Sequence, residues 1–126
     1  MIKIMIVDDE QDVESLFNQK FRKDLKSHNL EFQFAFSAEG ALSYLGSINP
    51  IDIVLILSDI NMPGKSGLDL LKEVKVNFPQ LKVMMVTAYG DKENYDQAYS
   101  IGADDFITKP IDFETLRNKI IALQEN

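Results

Sequence analysis

With 126 residues, 45% of them hydrophobic and 26% charged, the chain has the composition of an ordinary soluble globular domain and enough length to bury a core. Its formal net charge of −7 argues against non-specific nucleic-acid binding, which needs Lys and Arg to neutralise phosphates, and against attraction to an anionic membrane surface. The absence of cysteine excludes a disulfide framework and a thiolate metal site. The opening run Met1 to Val7 is too short for a signal-peptide core, and no apolar stretch approaches the roughly 18 residues of a membrane span. The expectation is one cytoplasmic domain over residues 1–126.

In chain order, Ile2 to Val7 reads as a short apolar strand that stops at Asp8-Asp9-Glu10. From Gln11 to about Lys26 the apolar residues Val13, Leu16, Phe17, Phe21 and Leu25 form a helical stripe. Leu30 to Phe36 alternates, with Leu30, Phe32, Phe34 and Phe36 on one parity, as in a strand nearer a sheet edge. Ser37 can cap a helix carrying Ala38, Ala41, Leu42 and Leu45, closed by Asn49-Pro50.

The run from Ile51 to Leu57 is apolar enough for a strand buried on both faces, and it ends at Asp59 before Pro63-Gly64 breaks the chain. Ser66 and Asp69 have capping-box spacing for a helix whose inner face is Leu68, Leu71, Val74 and Phe78. Lys82 to Ala88 is a further apolar strand, followed by a polar helix from about Asp91 to Ile101 that Gly102 can stop. Asp105 to Thr108 is a last strand. Asp112 can cap the last helix, which turns Phe113, Leu116, Ile120 and Leu123 inward. Five alternations of strand and helix call for an α/β fold with a five-stranded parallel sheet of flavodoxin-like order 2-1-3-4-5, helices on both faces, and an order reversal between the first and third strands.

Four of the five strands then deliver a charged or reactive group to the same carboxyl edge: Asp8 and Asp9, Asp59, Thr87 and Lys109. Three carboxylates in one pocket repel one another and need a compensating charge or raised pKa values. Hard oxygen donors with no His or Cys nearby favour Mg²⁺, or Mn²⁺, over zinc. Lys109 offers an ammonium to a phosphoryl oxygen and Thr87 a hydroxyl donor. A carboxylate between a divalent ion and a lysine is well placed to be an aspartyl-phosphate nucleophile.

The segments Ile6-Val7-Asp8-Asp9-Glu10, Ser58-Asp59-Ile60-Asn61-Met62-Pro63-Gly64 with Gly67, Val86-Thr87-Ala88, Gly102-Ala103-Asp104-Asp105-Phe106 and Lys109-Pro110, in that order, resemble the receiver domain of two-component response regulators over essentially the whole chain. The resemblance implies that Asp59 accepts a phosphoryl group from a histidine kinase or histidine phosphotransfer protein. It implies Mg²⁺ held by Asp8, Asp9 and Asp59 with the Asn61 backbone carbonyl, Lys109 paired with the phosphoryl group, and a cis Lys109-Pro110 peptide. It also implies a switch in which Thr87 moves toward the phosphoryl group and Phe106 swings inward. The surface of the last two strands and helices would change for an output partner, with a homodimer through the last two helices as one form that surface allows. Such a protein promotes its own phosphorylation and dephosphorylation and is not a turnover enzyme on external substrates.

Bland readings compete with each assignment. Asp8, Asp9 and Glu10 could be acids at a helix N-terminus, Thr87 a strand-end residue, Lys109 a solvated side chain and Phe106 simple core. His28, the single histidine, reads as exposed. Asp52 lies seven residues before Asp59, farther than in the family's pattern, so the third strand is either longer at its amino end or bulged. Extension at the far end is favoured because the acceptor-side motif is intact. Tyr89 and Asn61 flank the mouth of the site and bear on the access of water. A receiver used as a non-phosphorylated docking module is the alternative function. An aspartyl-phosphate hydrolase would want a second carboxylate where Asn61 stands, and a flavin phosphate would meet three acids after the first strand.

Overall fold

The computed structural model describes residues 2–47, 53 and 55–124. Five short apolar runs pair in parallel as one sheet of order β2-β1-β3-β4-β5, where β1 is Ile2–Val7, β2 Leu30–Ala35, β3 Leu55–Asp59, β4 Lys82–Ala88 and β5 Asp105–Lys109. The helices among the described residues are α1 (Asp12–Lys20), α2 (Arg22–Lys26), α3 (Ala38–Ser47), α4 (Gly67–Asn77), α5 (Lys92–Ile101) and α6 (Phe113–Gln124). The fold class and strand order expected from the sequence are those observed.

Strand alternation divides the core into two layers. Met5, Val7, Ile56, Val83 and Met85 face α3, α4 and α5, where they meet Ala38, Ala41, Leu45, Leu70, Leu71, Val74 and Ala98. Ile4, Ile6, Leu55, Leu57, Met84, Val86 and Ile107 face the other way, toward Phe17, Phe21, Leu116 and Ile120. Each aliphatic side chain buried this way contributes about 1.5–3 kcal/mol. On the second face Phe17, Phe21, Phe32, Phe34 and Phe113 form a web of mostly edge-to-face rings, with Phe17 and Phe113 5.1 Å apart.

Several local expectations need correction. The single helix expected from Gln11 to Lys26 is two, jointed at Phe21 (φ −109°, ψ 23°). Phe21 is fully buried in the aromatic web, and Arg117 of α6 reaches across to donate to the Lys20 carbonyl at 3.0 Å and to Asp24 at 3.2 Å. Tertiary contacts thus satisfy a carbonyl at the joint. Leu16, expected inward, is 41% exposed and lines a surface cavity. Phe36, expected on the same parity as Leu30, Phe32 and Phe34, lies beyond the end of β2 and is 38% exposed. The inner face of α4 includes Leu70, fully buried, whereas Leu68 and Phe78 are half-buried.

Register through β3 is one-to-one on both sides, from Ile4↔Leu55 to Val7↔Ser58 and from Leu55↔Lys82 to Asp59↔Val86. A bulge beside Ser58 is therefore excluded. Asp52, Asn49 and Pro50 lie outside the described residues. Ser37 caps α3 through a 2.9 Å bond from Gly40 N–H, Ser66 and Asp69 form the expected capping box, and Asp112 accepts from Glu114 and Thr115 at the start of α6. Gly102 ends α5 in the left-handed region at φ 119°.

Candidate phosphoacceptor site

The chain leaves β1 for β2 on one side and returns as β3 on the other, so a crevice opens where the carboxyl ends of β1 and β3 diverge. Asp8 and Asp9 follow β1, and Asp59 is the last residue of β3. One carboxylate oxygen from each of the three lies within 4.8 Å of the others. Asp59 is 7% exposed, Asp8 half-buried and Asp9 exposed. The Lys109 ammonium donates to Asp59 Oδ2 at 2.8 Å from the end of β5. Its peptide bond to Pro110 is cis.

The backbone around Asp59 is held closely. Gly67 N–H donates to the Ile60 carbonyl at 2.7 Å, and a Cβ at position 67 would stand 2.0 Å from the Asp59 carbonyl oxygen. Only glycine lets the first turn of α4 come this near. Ile60 and Met62 are buried on either side of the exposed Asn61, which pins the loop that carries it. The buried Ser58 hydroxyl donates to the Asp59 carbonyl at 2.9 Å.

The electrostatics follow from this crowding. Burial pushes the Asp8 carboxyl above its ordinary value, and the charges of Asp59 and Glu10 push the same way; the hydrogen bond from Glu10 N–H and the Lys109 charge oppose them. Burial would lower the Lys109 pKa, but the hydrogen bond and charge of Asp59, with Asp8 and Glu10, outweigh it and raise it. Lys109 stays an ammonium. For a small octahedral ion with bonds near 2.1 Å, opposite ligands stand about 4.2 Å apart, so three oxygens within 4.8 Å of one another suit the oxygen-only donor set of Mg²⁺.

The structure does not bring every expected residue into this crevice. Alternation puts Asp59 and Lys109 on the α1–α6 side, and Thr87 and Phe106 on the α5 side. Thr87, buried, lines a separate hollow with Gly90, Tyr95 and Thr108, next to the residue pair Asp59↔Val86. Phe106 is half-buried with its ring 4.1 Å from that of Tyr95. Sequence reasoning missed this Tyr95 contact, the closeness of Gly67 and the place of Leu16 at the cavity. His28 is exposed, as expected, with φ 61°.

The family description "Response regulator receiver domain" matches residues 4–121. The chain belongs to the response regulator receiver family. The receiver is 37% identical over 118 residues to response regulator protein PilR of Pseudomonas aeruginosa, covering 94% of this chain but 25% of that protein. It is 30% identical to sporulation initiation phosphotransferase F of Bacillus subtilis, covering 94% and 90% of the two chains. The crystal structure of the receiver domain of NtrX from Brucella abortus superposes with a TM-score of 0.81 at 33% identity over 98% of each chain. The receiver therefore spans about a quarter of one such relative and most of another. Receiver domains serve phosphorylation-dependent signalling as phosphoacceptor switches, with histidine kinases or phosphotransfer proteins and output domains as their partners. They bind Mg²⁺ in an acidic pocket, and this receiver has such an acidic cluster. No helix among the described residues is long and apolar enough to cross a membrane.

Proposed function

We propose that Asp59 takes a phosphoryl group from a phosphohistidine of a histidine kinase or phosphotransfer protein, in a cytoplasmic setting, and that the aspartyl phosphate changes the surface formed by β4, β5, α5 and α6. The observation that carries this reading is the buried Asp59 carboxylate held 2.8 Å from Lys109, with Asp8 and Asp9 oxygens within 4.8 Å. An Asp59 oxygen forms the new bond to phosphorus as the bond to the histidine nitrogen breaks. Lys109 loses half of its ion pair as the Asp59 oxygen becomes esterified, and its ammonium is then free to meet a phosphoryl oxygen.

Asp8, Asp9, Asp59 and the Asn61 carbonyl would hold Mg²⁺, which neutralises charge on the transferring group when bound. Thr87 would supply a hydroxyl to the phosphoryl group from β4, and its movement would free space into which Phe106 can turn. The downstream partner and any pairing of receivers through α5 and α6 are part of the same reading. Acetyl phosphate or beryllofluoride with magnesium chloride is expected to modify the protein one-to-one by intact mass, and Asp59→Asn to abolish it. No uptake by the native chain would support the non-phosphorylated docking module instead.

A further inference from the structure

We propose that β2 is a self-pairing edge: two copies of this receiver join antiparallel through Leu30 to Phe36 and make one continuous sheet. β2 bounds the sheet and pairs only with β1, in a one-to-one register without a bulge. The Asn29 and Ala35 carbonyls accept from the N–H groups of Ile2 and Asp8, so the odd-numbered residues turn their backbone groups toward β1. The N–H and carbonyl groups of Leu30, Phe32 and Phe34 therefore point out of the sheet. Among the described residues the Phe34 carbonyl alone of these has a partner, a long 3.5 Å bond from the Gln33 amide. Soluble proteins blunt such an edge with lysine, proline, a bulge or charge. The opposite edge is blunted: β5 begins at Asp105, ends at Lys109 and is followed by Pro110. β2 reads Leu-Glu-Phe-Gln-Phe-Ala, and Lys3 of β1 stands 3.8 Å from its single charge, Glu31.

The order of residues along the strand identifies a second copy as the occupant. Antiparallel pairing centred on Gln33 sets outward-pointing residues opposite one another: Phe32 against the partner's Phe34, and Leu30 against the partner's Phe36. Each such pair exchanges two backbone hydrogen bonds. Facing side chains lie on the same side of the sheet, so the ring web of Phe17, Phe32 and Phe34 continues into the second copy. Phe36, 38% exposed in the single chain, gains an apolar neighbour. Glu31 falls opposite the partner's Ala35, so no like charges meet, whereas a centre at Glu31 would set two carboxylates face to face. A hollow of about 570 Å³ runs beside the strand, lined on α3 by Gly40, Ser43 and Ser47, whose small side chains leave room for a neighbouring strand. A foreign peptide would have to bring a matching alternation; a second copy already carries it. The axis through Gln33 turns the second sheet end for end, so the two Asp59 crevices lie at opposite ends and both stay open to a phosphodonor.

The test is sedimentation equilibrium of the full chain as native protein, Gln33→Lys, Gln33→Glu, an equimolar mixture of those two variants, and Ile121→Ala on the exposed face of α6. The native chain is expected to be in monomer–dimer equilibrium. Each Gln33 variant sets like charges across the axis and weakens the dimer about five- to tenfold; the mixture sets opposite charges there and regains at least the native affinity. Ile121→Ala is expected to change nothing. Amide exchange on the native chain reads the contact without any variant: the Phe32 and Phe34 N–H groups slow as protein concentration rises. A one-chain mass at about 1 mM overturns the proposal, as does a dimer that Gln33→Lys leaves intact. A dimer lost only in Ile121→Ala, or exchange at Phe32 and Phe34 that ignores concentration, overturns it equally.

Discussion

Replacing Gly67 by alanine perturbs the acceptor without touching its side chain. The added Cβ would stand 2.0 Å from the Asp59 carbonyl oxygen, 2.8 Å from Ile60 Cα and 2.9 Å from the Asp59 carbonyl carbon. Real Cβ contacts do not fall below 3.0 Å, so the gap must open by about 1 Å. All three obstructing atoms are backbone, and no rotamer change relieves them. Gly67 is not among the positive-φ glycines, so its requirement is steric and not conformational. Overpacking costs about 1–3 kcal/mol, and stretching the 2.7 Å Gly67–Ile60 hydrogen bond about 1 kcal/mol more. Better helix propensity returns about 0.5–1 kcal/mol. The net loss is about 1–3 kcal/mol, which lowers Tm by roughly 4 °C for each kcal/mol. Moving Asp59 by ~1 Å relative to Lys109 and the two acids slows labelling by acetyl phosphate by up to about a hundredfold. Gly46→Ala is the control, since nothing lies within 4 Å of a Cβ there; it is expected to stabilise by up to about 1 kcal/mol. A Gly67→Ala protein with native urea midpoint and native labelling rate would refute the reasoning.

Magnesium at a hundredfold excess over its Kd should stabilise the protein by about 2.7 kcal/mol, read as a rise in Tm that EDTA reverses and Asp9→Asn greatly reduces. In magnesium-free buffer, Asp8 gives the opposite of the usual carboxylate dependence. Its folded pKa lies above 3.8, the fold holds that proton more tightly than the unfolded chain, and stability falls as pH rises through that window. Asp8→Asn should therefore flatten the dependence and raise the magnesium-free urea midpoint at neutral pH; a lowered midpoint would contradict this. The raised pKa of Lys109 works at the other end, giving stability that is complete below 10.5 and lost as pH climbs through the folded value, a loss absent from Lys109→Met. Ser66→Ala removes the hydroxyl that accepts from Asp69 N–H at 3.2 Å and should cost about 1 kcal/mol with an unchanged denaturant slope.

The sheet was legible because each strand is a short apolar run with an abrupt stop, and the stops themselves carry the chemistry. Asp8, Asp59 and Lys109 could be assigned to one edge from their places after apolar runs, since parallel strands put all their carboxyl ends together. The helix caps were legible for a related reason: Ser37, Ser66 and Asp112 act on backbone groups within three residues, so local spacing decides them. The joint at Phe21 was not. An apolar stripe with helical period continues through it, and what breaks the helix is a ring buried by β2 and α6 and a guanidinium 97 residues away. Hydrophobic pattern records which side chains go inside, not whether the backbone between them stays regular.

The same limit explains the two halves of the site. Charged groups advertise themselves, whereas the contact between Tyr95 and Phe106 joins a polar, weakly periodic helix to a strand and leaves no pattern in either. Its physical consequence is nonetheless definite. Phe106 carries no hydroxyl, so nothing but packing holds its ring, and the Tyr95 ring at 4.1 Å is the neighbour that any inward turn must abandon. An aromatic pair of this kind contributes about 0.5–1.5 kcal/mol beyond its buried area. A switch that moves Phe106 must therefore find at least that much in the pocket vacated near Thr87, or draw it from the phosphoryl group. The resting position of the Phe106 ring is thus held in part from α5.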